Sequence, residues 1–215
     1  MAYTKKIIGE GLQFKVYKIS KNRVIKKPTT RSQKISKLKQ WAKNDPRLLL
    51  RLKKDAIAAE RITDVSIRGL RRIITRMDPA IIGNPRFLKH PNYEQDVALP
   101  LGKYLEKHSF NENKAILNEY VNNIIQAWRS GFSDTVFNFT INNGVKNGKV
   151  ILLDLGELSF SKEKIKLLIT KKTWLRHWSY SGMKDGKLKS YFERIMNLRI
   201  TSKVLDKNWK ARLAK

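Results

Sequence analysis

The chain of 215 residues contains no cysteine, which excludes disulfides, thiol nucleophiles and thiolate metal sites. Its three histidines, His90, His108 and His177, are too scattered for a zinc cluster. No apolar run approaches the roughly 20 residues of a membrane span, and the opening MAYTKKIIGE lacks the apolar core of a secretory signal. The expectation is a soluble, cytoplasmic protein with no membrane span. Acidic residues are also few, 18 Asp and Glu against 46 Lys and Arg, giving a formal net charge of +28. The excess sits at the ends: residues 1–60 carry 17 cations against 4 acids and residues 161–215 carry 16 against 4, leaving 13 against 10 between them. Such a field attracts polyanions, nucleic acid among them, although a general basic bias gives the same composition without a dedicated partner.

What is present argues for a folded protein. Hydrophobic residues make up 41% of the chain, with 5 Trp, 7 Tyr and 8 Phe, enough for a core in one domain or in two small lobes sharing a cleft. Residues 5–27 alternate as three short strands, turning at Gly9-Glu10-Gly11 and Ser20-Lys21-Asn22 and closed by Pro28. From Ser36 to about Arg76 the pattern is helical, with Asp45-Pro46 as a cap and first-turn proline and with Ala56, Ala59, Ile62 and Val65 at helical spacing. Ala80 to Pro85 and Asp96 to Leu99 read as short strands, and "LPLGKYL" as a connector opening into helix. Leu117, Val121, Ile124 and Trp128 mark one face of a long helix that Gly131 stops. Asn147-Gly148 is a type I′ turn pair between Phe139–Ile141 and Val150–Leu153. In the terminal helices Trp174 and Trp178, at i and i+4, read as core in preference to a base-stacking platform. The order is α+β, divided at about residue 98.

Four stretches carry the chemistry. "IIGEGLQFKVYKISKNRVIKK" holds Gly9-x-Gly11-x-x-Phe14-x-Val16 and then Val24-Ile25-Lys26. Glycines let backbone amides approach phosphate oxygens, or simply make a tight hairpin. Strand alternation puts Lys26, rather than the adjacent Lys27, on the face of Val24. "DAIAAERI" offers Glu60, with Asp55 and Asp64 as weaker candidates, or else a surface carboxylate paired to a nearby arginine. "VILLDLGEL" ends four apolar residues on Asp154-Leu155-Gly156, an expensive place for a carboxylate unless a cation or donors compensate it. The alternative there is an aspartate capping the next helix. "GFSDTVFNF" supplies Asp134, followed by Asn138 and Asn142, residues also common in turns.

These stretches resemble the protein-kinase-like superfamily, nearer its compact aminoglycoside phosphotransferase-like branch, over most of residues 5–160. The resemblance implies a two-lobed fold, a β-rich N-terminal lobe (1–98) and a mostly helical C-terminal lobe (99–215), using ATP and Mg²⁺. It implies that Gly9 and Gly11 cover the phosphates and that Lys26, held by Glu60, contacts them. Val16 and Val24 would line the base pocket, and Val97 and Leu99 would supply backbone hydrogen bonds, Pro100 having no N–H. Asp154 would hold metal, with Asn142 preferred and Asn138 its rival, and Asp134 would orient the acceptor hydroxyl. Phe14 stands where the family has a third glycine, Leu155 where it has phenylalanine, and Asp134 precedes Asn138 by four residues instead of five. The implied activity is phosphoryl transfer to a small-molecule or other hydroxyl acceptor. Two other readings stay open: a pseudokinase that binds nucleotide without turnover, and a basic RNA-binding or ribosome-associated domain.

Overall fold

Alternating side chains on either side of Gly9–Gly11 and Ser20–Asn22 fold as antiparallel strands β1 (Lys6–Glu10), β2 (Phe14–Lys18) and β3 (Arg23–Pro28). The computed structural model describes residues 6–44, 49–135 and 137–210. Strands β4 (Arg86–Phe87) and β5 (Tyr93–Asp96) complete an antiparallel sheet in the order β1-β2-β3-β5-β4. The register sets Lys26 opposite Tyr93 and Val24 opposite Gln95. Strand β5 lacks an apolar alternation because a glutamine, Gln95, shares its inner face with the buried Tyr93. Gln95 is fully buried, and its Nε2 donates to the Ile82 and Leu152 carbonyls, both at 2.8 Å.

The expected helical stretch from Ser36 to Arg76 is two helices, α1 (Arg31–Trp41) and α2 (Leu52–Ile73). Helix α1 starts earlier than its apolar pattern because Thr30 and Gln33 form a reciprocal capping box. Asp45-Pro46 lies outside the described residues. Ala56 and Ala59 are buried on α2, but Ile62 and Val65 are 43% and 53% exposed. The inner face instead runs through Thr63, Ser66, Ile67 and Leu70. Small residues are needed at Ser66 and Gly69 because the Asp154–Phe160 segment passes close by. A methyl at Gly69 would lie 2.2 Å from Phe160 Cε2, and Ser66 Oγ accepts from the Leu158 N–H at 2.9 Å.

Ala80–Ile82, expected as strand, lies in a 3-10 turn (Pro79–Ile82) that the Asp78 side chain caps and Gly83 closes at φ 67°. After β6 (Leu99–Pro100) and α3 (Leu101–Leu105), Ser109 and Glu112 form the capping box of α4 (Phe110–Arg129). Leu117, Val121, Ile124 and Trp128 are buried, as their spacing predicts. Strand β7 (Ser133–Asp134) follows, and then a single helical turn, α5 (Phe139–Asn142), where a hairpin strand was expected. The hairpin itself is β8 (Asn143–Lys146) and β9 (Lys149–Leu152), joined by Asn147 (φ 50°) and Gly148 (φ 71°). Strand β6 pairs with β8, and β10 (Leu158–Ser159) returns to β7.

The chain ends in α6 (Lys162–Thr170), α7 (Thr173–Arg176), α8 (Trp178–Ser181), α9 (Gly186–Arg199) and α10 (Ser202–Asn208). Trp174 is core at 1% exposure, while Trp178 is 55% exposed. Their i, i+4 spacing does not share a face because His177 is extended (φ −81°, ψ 143°) and breaks the helix between them. The protein is therefore mixed α and β, with a small N-terminal sheet and a helical C-terminal part. One core cluster lies within the helical part, around Trp128, Phe139 and Phe192. A second joins Phe14, Ile67 and Tyr93 to Phe132, Leu155 and Leu158. Among the described residues no helix is long and apolar enough to cross a membrane.

Candidate functional site

A cavity of about 320 Å³ opens between the β1–β2 turn, the inner face of β3 and β5, and the end of the β8–β9 hairpin. Gly9, Gly11, Val16, Val24, Lys26 and Asp154 all line it. A methyl at Gly9 or Gly11 would come no nearer than 3.7 Å to any other group. Protein packing therefore does not demand glycine at either position; its absence of a side chain leaves backbone open to the cavity.

Lys26 is 8% exposed, and its ammonium donates to the Leu153 carbonyl and lies 5.8 Å from the Tyr93 ring centroid. Burial lowers its pKa from 10.5 to about 8, against the opposing pull of the Asp154 carboxylate. Asp154 Oδ1 accepts the Gly156 N–H at 2.8 Å, a local turn that orients the carboxylate, and no ion pair within 4 Å engages it among the described residues. The Asp154 and Leu153 N–H groups both donate to the Asn142 carbonyl, at 3.1 and 2.6 Å.

That contact separates the two asparagines. Asn142 is 4% exposed beside Asp154, and its buried Nδ2 has no hydrogen-bond partner among the described residues. Asn138 points to the terminal helices, where its Oδ1 accepts from Ser179 Oγ at 2.5 Å. No group of three or more His, Asp or Glu side chains that could cage a metal occurs among the described residues. The single Asp154 carboxylate on the cavity wall fits an Mg²⁺ ion that keeps most of its oxygen ligands from phosphate and water, while Asn142 meets it through the backbone and does not itself line the cavity.

Other expected site residues lie elsewhere. Glu60 is bonded to Arg31, at 3.1 Å to Nε and 2.8 Å to Nη2, and its charge acts on the buried Lys34; Lys26 is not its partner. Asp134 is paired through β7 with Leu158 and borders a separate space of about 20 Å³ with Tyr120 and Asn123. There burial first, and the Asp134 charge second, push the Tyr120 pKa well above 10. The Val97 N–H is committed to the Asn22 carbonyl at 3.0 Å, although Val97 lines the cavity. Leu99 pairs with Val145 in β6 and does not line the cavity.

Sequence reading missed Gln13. Its Nε2 donates to Glu157 Oε1 at 2.6 Å, tying the glycine turn to the segment after Asp154. A methyl at Gly156 would lie 3.1 Å from both Gln13 Cγ and Phe14 Cε2, so the two segments are in close contact. The only sequence trace is a long polar side chain two residues after Gly11 and a second acid three residues after Asp154. Burial, then the Asp154 charge, raises the Glu157 pKa above 4.5. A raised folded pKa means that the native state holds the proton more tightly than the unfolded chain, so stability falls as pH rises from 4.5 through the folded pKa. Glu157→Gln removes that ionisation and keeps the acceptor for Gln13. Its melting temperature in EDTA should match wild type at pH 4 and exceed it increasingly towards neutrality. An unchanged difference across that range would disprove the buried carboxylate.

Comparison with known protein families and with curated proteins finds no match to this chain.

Proposed function

We propose that the chain is an ATP- and Mg²⁺-binding phosphotransferase of kinase-like, two-lobed form, with the cavity between residues 1–98 and 99–215 as its nucleotide site. The observation that carries this reading is that Lys26 and Asp154, 128 positions apart in the chain, line one cavity beneath the Gly9–Gly11 turn. Val16 and Val24 offer apolar contact to a base at one end. With the Val97 amide already committed, Ala98 is the next rim residue able to offer its backbone. With a pKa of about 8, Lys26 is still mostly an ammonium at pH 7, and triphosphate oxygens would hold it so. Asp154, with Asn142 beside it, would hold Mg²⁺, whose charge would neutralise that of the phosphates.

Phosphoryl transfer depends chiefly on positioning and charge neutralisation. With Asp134 outside the cavity, the proposed transfer to a hydroxyl acceptor proceeds without that carboxylate as base. Slow turnover is expected, by about 10²–10⁴ relative to a base-assisted reaction. The same observation favours a second reading, nucleotide binding with no turnover at all. ATP at 100 times its Kd should stabilise the protein by about 2.7 kcal/mol, which is a rise of roughly 5–10 °C in melting temperature for a chain of this size. The rise should require Mg²⁺ and exceed that given by equal pyrophosphate. Equal shifts from pyrophosphate, or an effect indifferent to Mg²⁺, would overturn the site, and release of labelled γ-phosphate separates the two readings.

A further inference from the structure

From Lys164 to Lys184 the chain carries six cations and no carboxylate. Lys171, Lys172, Arg176 and Lys184 are exposed in this stretch and enter no ion pair among the described residues. The acids flanking it are engaged elsewhere: Glu163 accepts from Ser161 Oγ, Asp206 pairs with Lys162 and Lys166, Asp185 caps the first amides of α9, and Glu193 accepts from the Tyr180 hydroxyl. Lys172 and Arg176 bracket α7 one turn apart, and α7 packs on α8. The same stretch holds Trp178, 55% exposed, with the His177 ring, whose pKa burial lowers, 5.4 Å away.

The patch is tied to the cavity. Ser179, next to Trp178, is buried and bonds to Asn138 Oδ1 at 2.5 Å and to Thr140 Oγ1 at 3.0 Å, and Ile141 lines the cavity.

We propose that the α7–α8 surface centred on Trp178 binds single-stranded nucleic acid, with a base stacked on the indole and Lys171, Lys172, Arg176 and Lys184 meeting the phosphates. Cations alone would suit any polyanion; the exposed ring adds a surface for an unpaired base, which a duplex hides. An anionic bilayer fits less well, since the exposed large apolar side chains between Lys164 and Lys184 are only Leu167 and Trp178, too few for the continuous apolar face that an interfacial helix buries. This inference goes beyond the nucleotide reading and stands without it.

The test is fluorescence anisotropy with labelled oligouridylate and oligothymidylate strands about 12 nucleotides long, alongside a duplex and phosphatidylserine vesicles, over a range of salt. Single strands should bind more tightly than duplex, and a preference for either sugar supports the proposal and names the strand. Trp178→Ala should weaken single-strand binding about tenfold and leave duplex binding unchanged. Lys172→Ala with Arg176→Ala should reduce the log–log salt slope by about 1.4, while Lys203→Ala with Lys207→Ala on α10 should leave the single-strand preference intact. Wild-type-like binding by Trp178→Ala, or a defect confined to vesicles, would overturn the proposal. All variants should keep the wild-type melting temperature and whatever melting response to magnesium-ATP the wild type shows, and a change in that response would overturn the placement of this surface outside the cavity.

Discussion

Replacing Lys26 by methionine is expected to raise the melting temperature of the ligand-free protein while abolishing its response to magnesium-ATP. Each pH unit of pKa displacement is worth about 1.36 kcal/mol, so the fall from 10.5 to about 8 puts roughly 3 kcal/mol of destabilisation on the buried ammonium at neutral pH. Methionine has a similar shape without the charge. It leaves the Leu153 carbonyl without its donor, which returns about 1–2 kcal/mol of that gain. The net expectation is about 1–2 kcal/mol of stabilisation, or roughly 2–8 °C. The pH dependence has a defined sign. The unfolded chain keeps this proton until about 10.5 and the native one releases it near 8, so stability attributable to Lys26 rises with pH between those values. Melts from pH 7.5 to 9.5 should show that rise in wild type and lack it in Lys26→Met. Higher pH is uninformative, because buried Tyr93 and Tyr120 have raised pKa values and destabilise the native state once the unfolded chain begins to ionise. A destabilised Lys26→Met protein would mean that the ammonium is a structural donor and not a charge held ready for a ligand.

The local features were legible where backbone chemistry decides them. Gly9–Gly11, Asn147-Gly148 and the apolar series of α4 specify their turns and helix within a few residues, and "VILLDLGEL" marks a carboxylate at the end of a buried strand. Legibility failed where a distant partner decides. Glu60 could be read as a helix carboxylate, but its partner depends on the start of α1, which the Thr30–Gln33 capping box sets and an apolar count overlooks. Ile62 and Val65 looked like core because periodicity records apolarity. The close passage of Phe160 over Gly69 requires small residues on the inner face instead. Strand β5 is hidden because the partners of its buried polar side chains, backbone carbonyls for Gln95 Nε2 and Arg23, Asn84 and Lys146 for Asp96, are not adjacent in sequence. Asp134 had the right chemistry for a base, yet its pairing with Leu158 sets its position, and only the tertiary fold reveals that pairing.

Asp154→Asn should separate charge from geometry at the site. Asparagine keeps an acceptor for the Gly156 N–H, so the turn after β9 should survive, while the carboxylate that favours the Lys26 ammonium is lost. In the wild-type background the buried cation then has less compensation, its pKa falls further, and stability at pH 7 should drop by about 1–2 kcal/mol, since a buried charge loses a carboxylate that favoured it. In a Lys26→Met background the same substitution meets no buried cation and should cost less than about 0.5 kcal/mol. The difference between the two costs, read from urea unfolding at pH 7, is the coupling energy of the pair. Both Asp154→Asn proteins should lose the Mg²⁺-dependent part of the nucleotide response. Equal destabilisation in the two backgrounds would show that the two side chains share a cavity wall without sharing a field, and a lysine and a carboxylate that do not feel each other there would not act together on one triphosphate and its metal ion.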